Sequence, residues 1–488
     1  MAGNQIRNLP DGFVELLEAA AGGPVPHILD ALNGAPVTAI RFNPLKVKSP
    51  AAATDILASL SNNSELLTRN SGSSVGYKKV PWCSDGYIID ERPIFTLDPA
   101  FHSGAYYVQE PSSMVLEILR PLINNLQKNK SLPLSFLDIA ASPGGKTTHL
   151  ISMKPPGSLM ISNEVIRSRV GPLIENVVKW GDHDVMVTNN DPSDFAGLTS
   201  FFDFILADVP CSGEGMFRKY STSDRRESKT TSIAIAEWSL QNVAICQSRQ
   251  RRIIADIWPA LAPGGILVYS TCTFNNREND DNILWIRENL GADIVNFGEF
   301  TDTDILKNAG VRFSGAGGLQ FFPGEVVGEG LYMAVLRKPF SSDIVNSLHN
   351  RQFEKYIHRL KRSFPIIKKS SQQYEQFAPL HEIALSAIYS NEYPSIELTR
   401  DCALLYLSKG NFTPQCLQSA TRSATQSEEF SDEIHHVVNK EFSGVSEELP
   451  KGYYRVTYKG MGLGFVKHLG NRVNNLFPVE RRILMKIS

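Results

Sequence analysis

The chain reads as an α/β protein built on an open, doubly wound, mostly parallel sheet, with a smaller unit before it and another after it. Three observations carry this. Apolar strand-like runs alternate with amphipathic helical runs from about residue 134 to residue 340, a spacing that implies crossover connections and parallel neighbours covered on both faces. The first of these runs breaks into the paired-glycine turn Gly144-Gly145, as happens where a strand end lies close to a ligand. The alternation is absent before about residue 130 and after Pro339.

Taken in order, residues 1–130 form an N-terminal unit. Phe13-Val-Glu-Leu-Leu-Glu-Ala-Ala follows a Pro-Asp-Gly start and has the period of a short amphipathic helix. Residues 39–46 alternate as a strand, with Arg41 and Asn43 on one face, and residues 71–76 are a loop. A helix begins near Gln109 and leads into a linker over 124–130. In the central unit, residues 131–340, strands are expected at 134–140, 159–164, 185–190, 202–209, 265–271, 292–297 and 331–337. Helices are expected at 167–180, 249–261 and 279–289. A glycine-rich stretch over 310–330 separates the last two strands, which predicts an antiparallel edge strand at the end. Residues 341–375 read as a basic helical connector. Residues 376–488 read as a small β-rich unit, because 452–467 is aromatic and β-branched and punctuated by glycine. Residues 425–449, with seven acidic side chains against Lys440, look like an insertion. No internal repeat is visible.

Composition narrows the function classes. The 488 residues are 42% hydrophobic and 20% charged, ordinary for a globular chain of two or three domains. There is no apolar leader and no run of about 18 apolar residues, which argues against secretion and a membrane span. The six cysteines form no C-x-x-C pair and no His/Cys cluster at metal spacing. No disulfide framework or structural metal is expected, and a reducing cytoplasm fits. A net charge of −2 gives no global sign of a polyanionic partner, yet residues 351–369 carry seven basic side chains against one acidic, and 451–488 eight against one. Such islands can hold phosphates, although a charge run is more often a solvated face.

The turn after residue 140 admits two cofactors. Ala140-Ala-Ser-Pro-Gly-Gly-Lys-Thr147 is one residue from G-x-x-x-x-G-K-[ST], with Ala140 in place of the first glycine. That would make a nucleoside-triphosphate site, with Asp208 reaching a magnesium ion. The alternative is a methyl donor, S-adenosylmethionine, across the strand ends. The next strand ends in Glu164, 26 positions after Asp138, and an acid there suits a ribose diol. A phosphate cradle has no obvious use for it.

Two cysteines follow strand ends, in Asp208-Val-Pro-Cys-Ser-Gly-Glu-Gly215 and Tyr269-Ser-Thr-Cys-Thr-Phe274. A lone cysteine there is most often inert packing. Two on neighbouring strand ends, one behind Asp-x-Pro, fit that less well. A thiolate adds to electrophilic ring carbons, and thiol, carboxylate and methyl donor together suit methylation at C5 of a pyrimidine. That carbon is a poor nucleophile until a thiolate adds at C6 and an acid bonds N3.

With these motifs the chain resembles the bacterial RNA 5-methylcytosine methyltransferases, and within them the 16S ribosomal RNA cytosine-5 methyltransferases of F type. The resemblance runs through Arg41-Phe-Asn-Pro-Leu-Lys46, Gln109-Glu-Pro-Ser-Ser113, the loop from Asp138 to Thr147, Asn163-Glu164, Asn190-Asp191, both cysteine motifs and Gln250-Arg-Arg252. It implies a Rossmann-like methyltransferase domain, a family-specific N-terminal domain and a PUA-like RNA-binding module marked by Leu463-Gly-Phe-Val-Lys467. It further implies that Cys272 is the nucleophile, that Cys211 assists product release, and that Asp208 is the adjacent acid. S-adenosylmethionine would lie over Ala140, Ala141, Ser142, Pro143, Gly144, Gly145 and Lys146, with Asp208 beside it, Glu164 on the ribose and Asp191 near the adenine. No metal is implied. The expected partner is RNA, 16S ribosomal RNA or the small subunit. Other members carry Cys at the position of Ala140 and Ala at that of Ser142, both small exchanges.

Overall fold

The computed structural model describes residues 9–65, 76–130, 133–218, 233–340, 363–365, 379–388, 393–410 and 449–485, with residues 360, 412 and 417. Most of the basic connector and nearly all of the acidic stretch 425–449 lie outside these residues.

The N-terminal unit is a four-stranded antiparallel sheet of β1 (Thr38–Phe42), β2 (Tyr77–Val80), β3 (Cys83–Ile89) and β4 (Tyr106–Val108), in the order β2-β3-β1-β4. The strand expected at 39–46 is present as β1, and it is buried along its whole length. The polar side chains of this segment are spent on docking. Arg41 donates to Gln109 Oε1 at 2.7 Å and Thr148 Oγ1 at 2.7 Å, and its guanidinium lies 4.5 Å from the Trp180 ring. Asn43 donates to the Gly104 and Trp180 carbonyls. Lys46 donates to the Ser103 and Lys179 carbonyls at 2.6 Å each, and burial pulls its ammonium down to about 7. The helix expected from Gln109 is a 3-10 stretch, Ser112–Leu119, running into an α-helix, Arg120–Lys128, so most of the expected linker is helical.

The central sheet has β5 (Ser135–Asp138), β6 (Leu159–Asn163), β7 (Val185–Thr188), β8 (Phe202–Asp208) and β9 (Leu261–Thr271) parallel, in the order β9-β8-β5-β6-β7. Successive side chains enter opposite layers. Phe136 and Phe204 pack under helices Gly145–Met153 and Arg167–Trp180, while Leu137 and Ile205 pack under Leu240–Ile257 and Asp280–Leu290. The helix at Leu240 starts earlier than its apolar period suggests, because Ser239 caps it by accepting from Asn242 N at 3.0 Å.

Beyond β9 the sheet differs from expectation in one respect. The short β10 (Asp293–Ile294), β11 (Arg312–Phe313) and β12 (Leu319–Phe321) precede β13 (Leu331–Arg337), which is antiparallel to β9 as predicted. However, β13 is not the edge. Leu319 to Phe321, inside the glycine-rich stretch, pair with Leu331 to Met333 and bury all three side chains, so the hairpin extends the sheet. At the other edge β14 (Ser363–Pro365), from the segment read as a helical connector, pairs with β7.

The C-terminal unit is β-rich, as expected. β15 (Ser395–Glu397), β16 (Gly452–Tyr458), β17 (Met461–His468) and β18 (Val473–Asn475) form one sheet in chain order. Its Tyr406, Val456 and Leu463 share an apolar cluster with Ile40 and Phe42 of the N-terminal sheet. Among the described residues no helix is long and apolar enough to cross a membrane.

Candidate active site

The site lies at the carboxyl ends of the parallel strands, where an open α/β sheet puts its ligands. β5 ends at Asp138, and the chain turns through Gly144, whose φ of 110° only glycine holds without strain, into helix Gly145–Met153. Gly145 faces the N-terminal unit, and a Cβ there would make ordinary contact with the Tyr107 ring at 3.4 Å and Gln109 Nε2 at 3.7 Å. Lys146 turns back to bond Asp208 Oδ2 at 2.8 Å, and Ser270 donates to Asp208 Oδ1 at 2.7 Å. Burial pulls the Lys146 ammonium down, but the Asp208 charge outweighs it and the group sits above its usual range. Asp138 is buried, with Oδ2 taken by Thr147 at 2.6 Å. Burial, with the Asp208 charge adding to it, pushes its carboxyl up to about 7.

These groups border a cavity of about 210 Å³, lined by Asp138, Ala140, Ala141, Ser142, Pro143, Gly145, Lys146 and Asp208 on one side. Tyr107, Val108, Gln109, Glu110 and Ser113 line the other. Glu164 and Asp191 do not line it. They stand further along the same row of strand ends, past β6 and β7. Glu164 accepts from Ile166 N at 2.8 Å through Oε1, and its buried Oε2 accepts no hydrogen bond. Asp191 is more exposed and accepts from Ser193 N and Oγ, with Arg252 3.7 Å away. Asn163 ties the row together, bonding the Ile139 and Asn190 carbonyls and accepting from Thr188.

The two cysteines meet. Cys211 follows β8, Cys272 follows β9, and their sulfurs are 3.2 Å apart. The hydrogen bond to Cys272, and then burial, push the Cys211 thiol well above its usual range. The Cys272 charge in turn acts on Lys146. A polar network holds both loops. Glu214 accepts from Phe274 N, Asn275 N, Asn275 Nδ2 and Trp238 Nε1 at 2.6 to 3.1 Å. Glu278 accepts from Ser212 N, Gln250 Nε2 and Asn275 Nδ2 at 2.8 to 3.0 Å, and burial pushes its carboxyl up. Gly215 packs against the Cys272 carbonyl, where a Cβ would lie 3.0 Å away.

Sequence reasoning assigned no role to Glu214, Glu278 or Ser270, nor to the Tyr107–Ser113 wall. Glu214 and Glu278 lie within a few residues of the cysteines, but acidic side chains in loops read as solvated. The fold also gathers Cys83, Glu117 and His149 with ligand-type atoms within 4.8 Å, which their spacing in the chain does not show. His149 Nε2 and Glu117 are paired there at 2.9 Å.

The residues fit S-adenosylmethionine. Gly144 turns the chain at a φ that favours glycine, and buried Glu164 Oε2, with Arg169 3.8 Å away, makes no hydrogen bond and matches a donor such as a ribose hydroxyl. Comparison with known proteins agrees. Residues 123–337 match the family model for the 16S rRNA methyltransferase RsmB/F, residues 9–111 that for the N-terminal domain of 16S rRNA methyltransferase RsmF, and residues 440–483 that for the RsmF PUA domain. The chain is 30% identical to ribosomal RNA small subunit methyltransferase F of Shewanella loihica, over 85% of each chain. It is also 30% identical to the protein of that name from Aliivibrio fischeri, over 82% of this chain and 85% of that one. The solved structure of PH0851 shares the fold, with a TM-score of 0.55 at 20% identity over 68% of this chain and 66% of that one. The triphosphatase alternative falls away. Similarity running through all three parts of the chain places it in the ribosomal RNA small subunit methyltransferase F family, as an S-adenosylmethionine-dependent methyltransferase.

Proposed function

We propose that the chain methylates C5 of a cytosine in RNA, with 16S ribosomal RNA as substrate in the cytoplasm, through a covalent bond between Cys272 and C6 of the base. The observation that carries this is the meeting of Cys211 and Cys272 at 3.2 Å beside the Lys146–Asp208 pair. A single packing cysteine would need no second thiol, and a redox pair would need no carboxylate.

The target base leaves its stack to enter the site. Cys272 Sγ lies 3.2 Å from Cys211 Sγ and acts electrostatically on the Lys146 ammonium. Cys272 Sγ adds to C6, and the electron pair of the C5–C6 double bond moves through the ring. As that pair reaches N3, Asp208 gives N3 a proton that it receives from the Lys146 ammonium across their hydrogen bond, and takes it back when the ring is restored. Bound over residues 140–146, S-adenosylmethionine supplies an electrophilic methyl group to C5. Cys211 then guides the C5 proton out to solvent; the C5–H electron pair re-forms the C5–C6 double bond as the C6–S bond breaks, and Cys272 leaves as the thiolate. RNA beyond the target base meets the N-terminal unit and the PUA domain, where Lys467 and Arg472 flank the β17–β18 turn.

Separate substitutions test the two roles. Cys272→Ala should abolish methyl transfer with cofactor binding intact. Cys211→Ala should still attack and methylate, then stall as a denaturant-resistant protein–RNA adduct, which disappears in the double variant. An adduct in Cys272→Ala and none in Cys211→Ala would reverse the roles. No adduct in any variant, with methylation retained, would remove both cysteines from the chemistry. Bisulfite sequencing of RNA from a deletion strain identifies the nucleotide.

A further inference from the structure

We propose that the N-terminal unit completes the methyl-donor site: Gln109 donates to the carboxylate at the α-amino acid end of S-adenosylmethionine, while Asp138 accepts from its ammonium. This rests on reading the cavity over residues 138–146 as the donor site.

Two buried groups with opposite needs line that one cavity. Gln109 is 6% exposed and Asp138 is 1% exposed. Gln109 Oε1 accepts from Arg41 Nε at 2.7 Å. A guanidinium only donates, so the amide oxygen must face Arg41 and the NH2 must face away from it. That Nε2 has no partner, and it lies against Gly145, where the helix offers its own amides. Asp138 is the converse. Thr147 occupies Oδ2, and Oδ1 is buried without a donor. Buried polar atoms are rarely left so unless something else satisfies them. One donor and one acceptor bordering a small cavity match a carboxylate and an ammonium on one carbon. Adenine and ribose carry no anion for the donor. Gln109 is aimed by docking, since Arg41 also bonds Thr148 Oγ1 and the Gly145 carbonyl of the same helix.

The test compares two ligands on the full chain by calorimetry: S-adenosylhomocysteine, which has the amino acid end, and 5′-methylthioadenosine, which lacks it. Gln109→Glu keeps an oxygen for Arg41 and removes the NH2. Gln109→Met is a second variant, and melting curves check that each is folded. Loss of one hydrogen bond to a charged group should weaken S-adenosylhomocysteine by about 10-fold or more, with 5′-methylthioadenosine unchanged. Equal weakening of both ligands would make Gln109 a packing residue and overturn the proposal. Unchanged binding of both would mean that water alone fills the gap between Gln109 and Asp138, and would overturn it too. If the unmodified protein bound neither ligand, the donor-site reading itself would fail.

Discussion

The loops that carry Cys211 and Cys272 and the cavity over residues 138–146 stand at the ends of adjacent strands, yet they treat buried polar atoms in opposite ways. Around the thiols Glu214, Glu278, Gln250, Asn275, Asn279 and Asn282 bond one another and the loop backbone, with Asn276 Oδ1 left without a hydrogen bond. Along the cofactor row Gln109 Nε2, Asp138 Oδ1 and Glu164 Oε2 make no hydrogen bond, although Arg169 stands 3.8 Å from Glu164 Oε2. An unmet buried group costs roughly 1–3 kcal/mol, a cost that the proposed methyl-donor contacts would relieve. A nucleophile, by contrast, must be held in place before substrate arrives. One region is pre-set, and the other is completed by what it binds.

The sharpest way to break this contrast is Glu214→Ala. It strips the acceptor from three backbone or amide donors and the Trp238 indole, all buried. A stability loss of about 3–5 kcal/mol is expected in denaturant unfolding, since removing one side of a buried charged network is costly. Methyl transfer should fall as well, because Phe274 and Asn275 set the path of the chain just past Cys272. A loss below about 1 kcal/mol would mean that the loops are not held by this network.

Glu164→Ala should act the other way, costing stability only by the Ile166 N hydrogen bond and the Arg169 contact at 3.8 Å, roughly 1 kcal/mol. S-adenosylhomocysteine affinity should fall by about 10-fold, as loss of a charged hydrogen bond implies. Unchanged affinity in a titration would remove Glu164 from the site.

A third effect concerns Asp138. Its folded-state carboxyl is pushed up to about 7 from an ordinary 3.8. Between those values the folded chain holds a proton that the unfolded chain has released, so stability without cofactor should decline as pH rises from 3.8 to 7. Asp138→Asn should flatten that slope. An identical slope in the variant would show that another group causes it.

Much of the fold was legible because β-strands and helices impose short periods. The helix at Arg167–Trp180 and the strand at Leu331–Arg337 coincide with their apolar patterns. The hairpin inside 310–330 was hidden because its strands are two and three residues long, too short for a period. In the site, both cysteines, the glycine turn and Glu164 stood out as unusual residue types at strand ends. Glu214 and Glu278 did not, because nothing in a sequence distinguishes a buried carboxylate from a solvated one.

The sequence alone determined the class of sheet and the strand–loop–helix cofactor turn, and placed Asp208, Cys211 and Cys272 just past strand ends, since each depends on neighbours a few residues apart. Tertiary structure decided which atoms meet. Cys211 reaches Cys272 across 61 residues, Arg41 reaches Gln109 across 68, and Arg41 reaches the Gly145 carbonyl across 104. Whether Gln109 Nε2 or Asp138 Oδ1 keeps a partner depends on how those segments pack, because a hydrogen bond forms only within a few tenths of an ångström of its proper length.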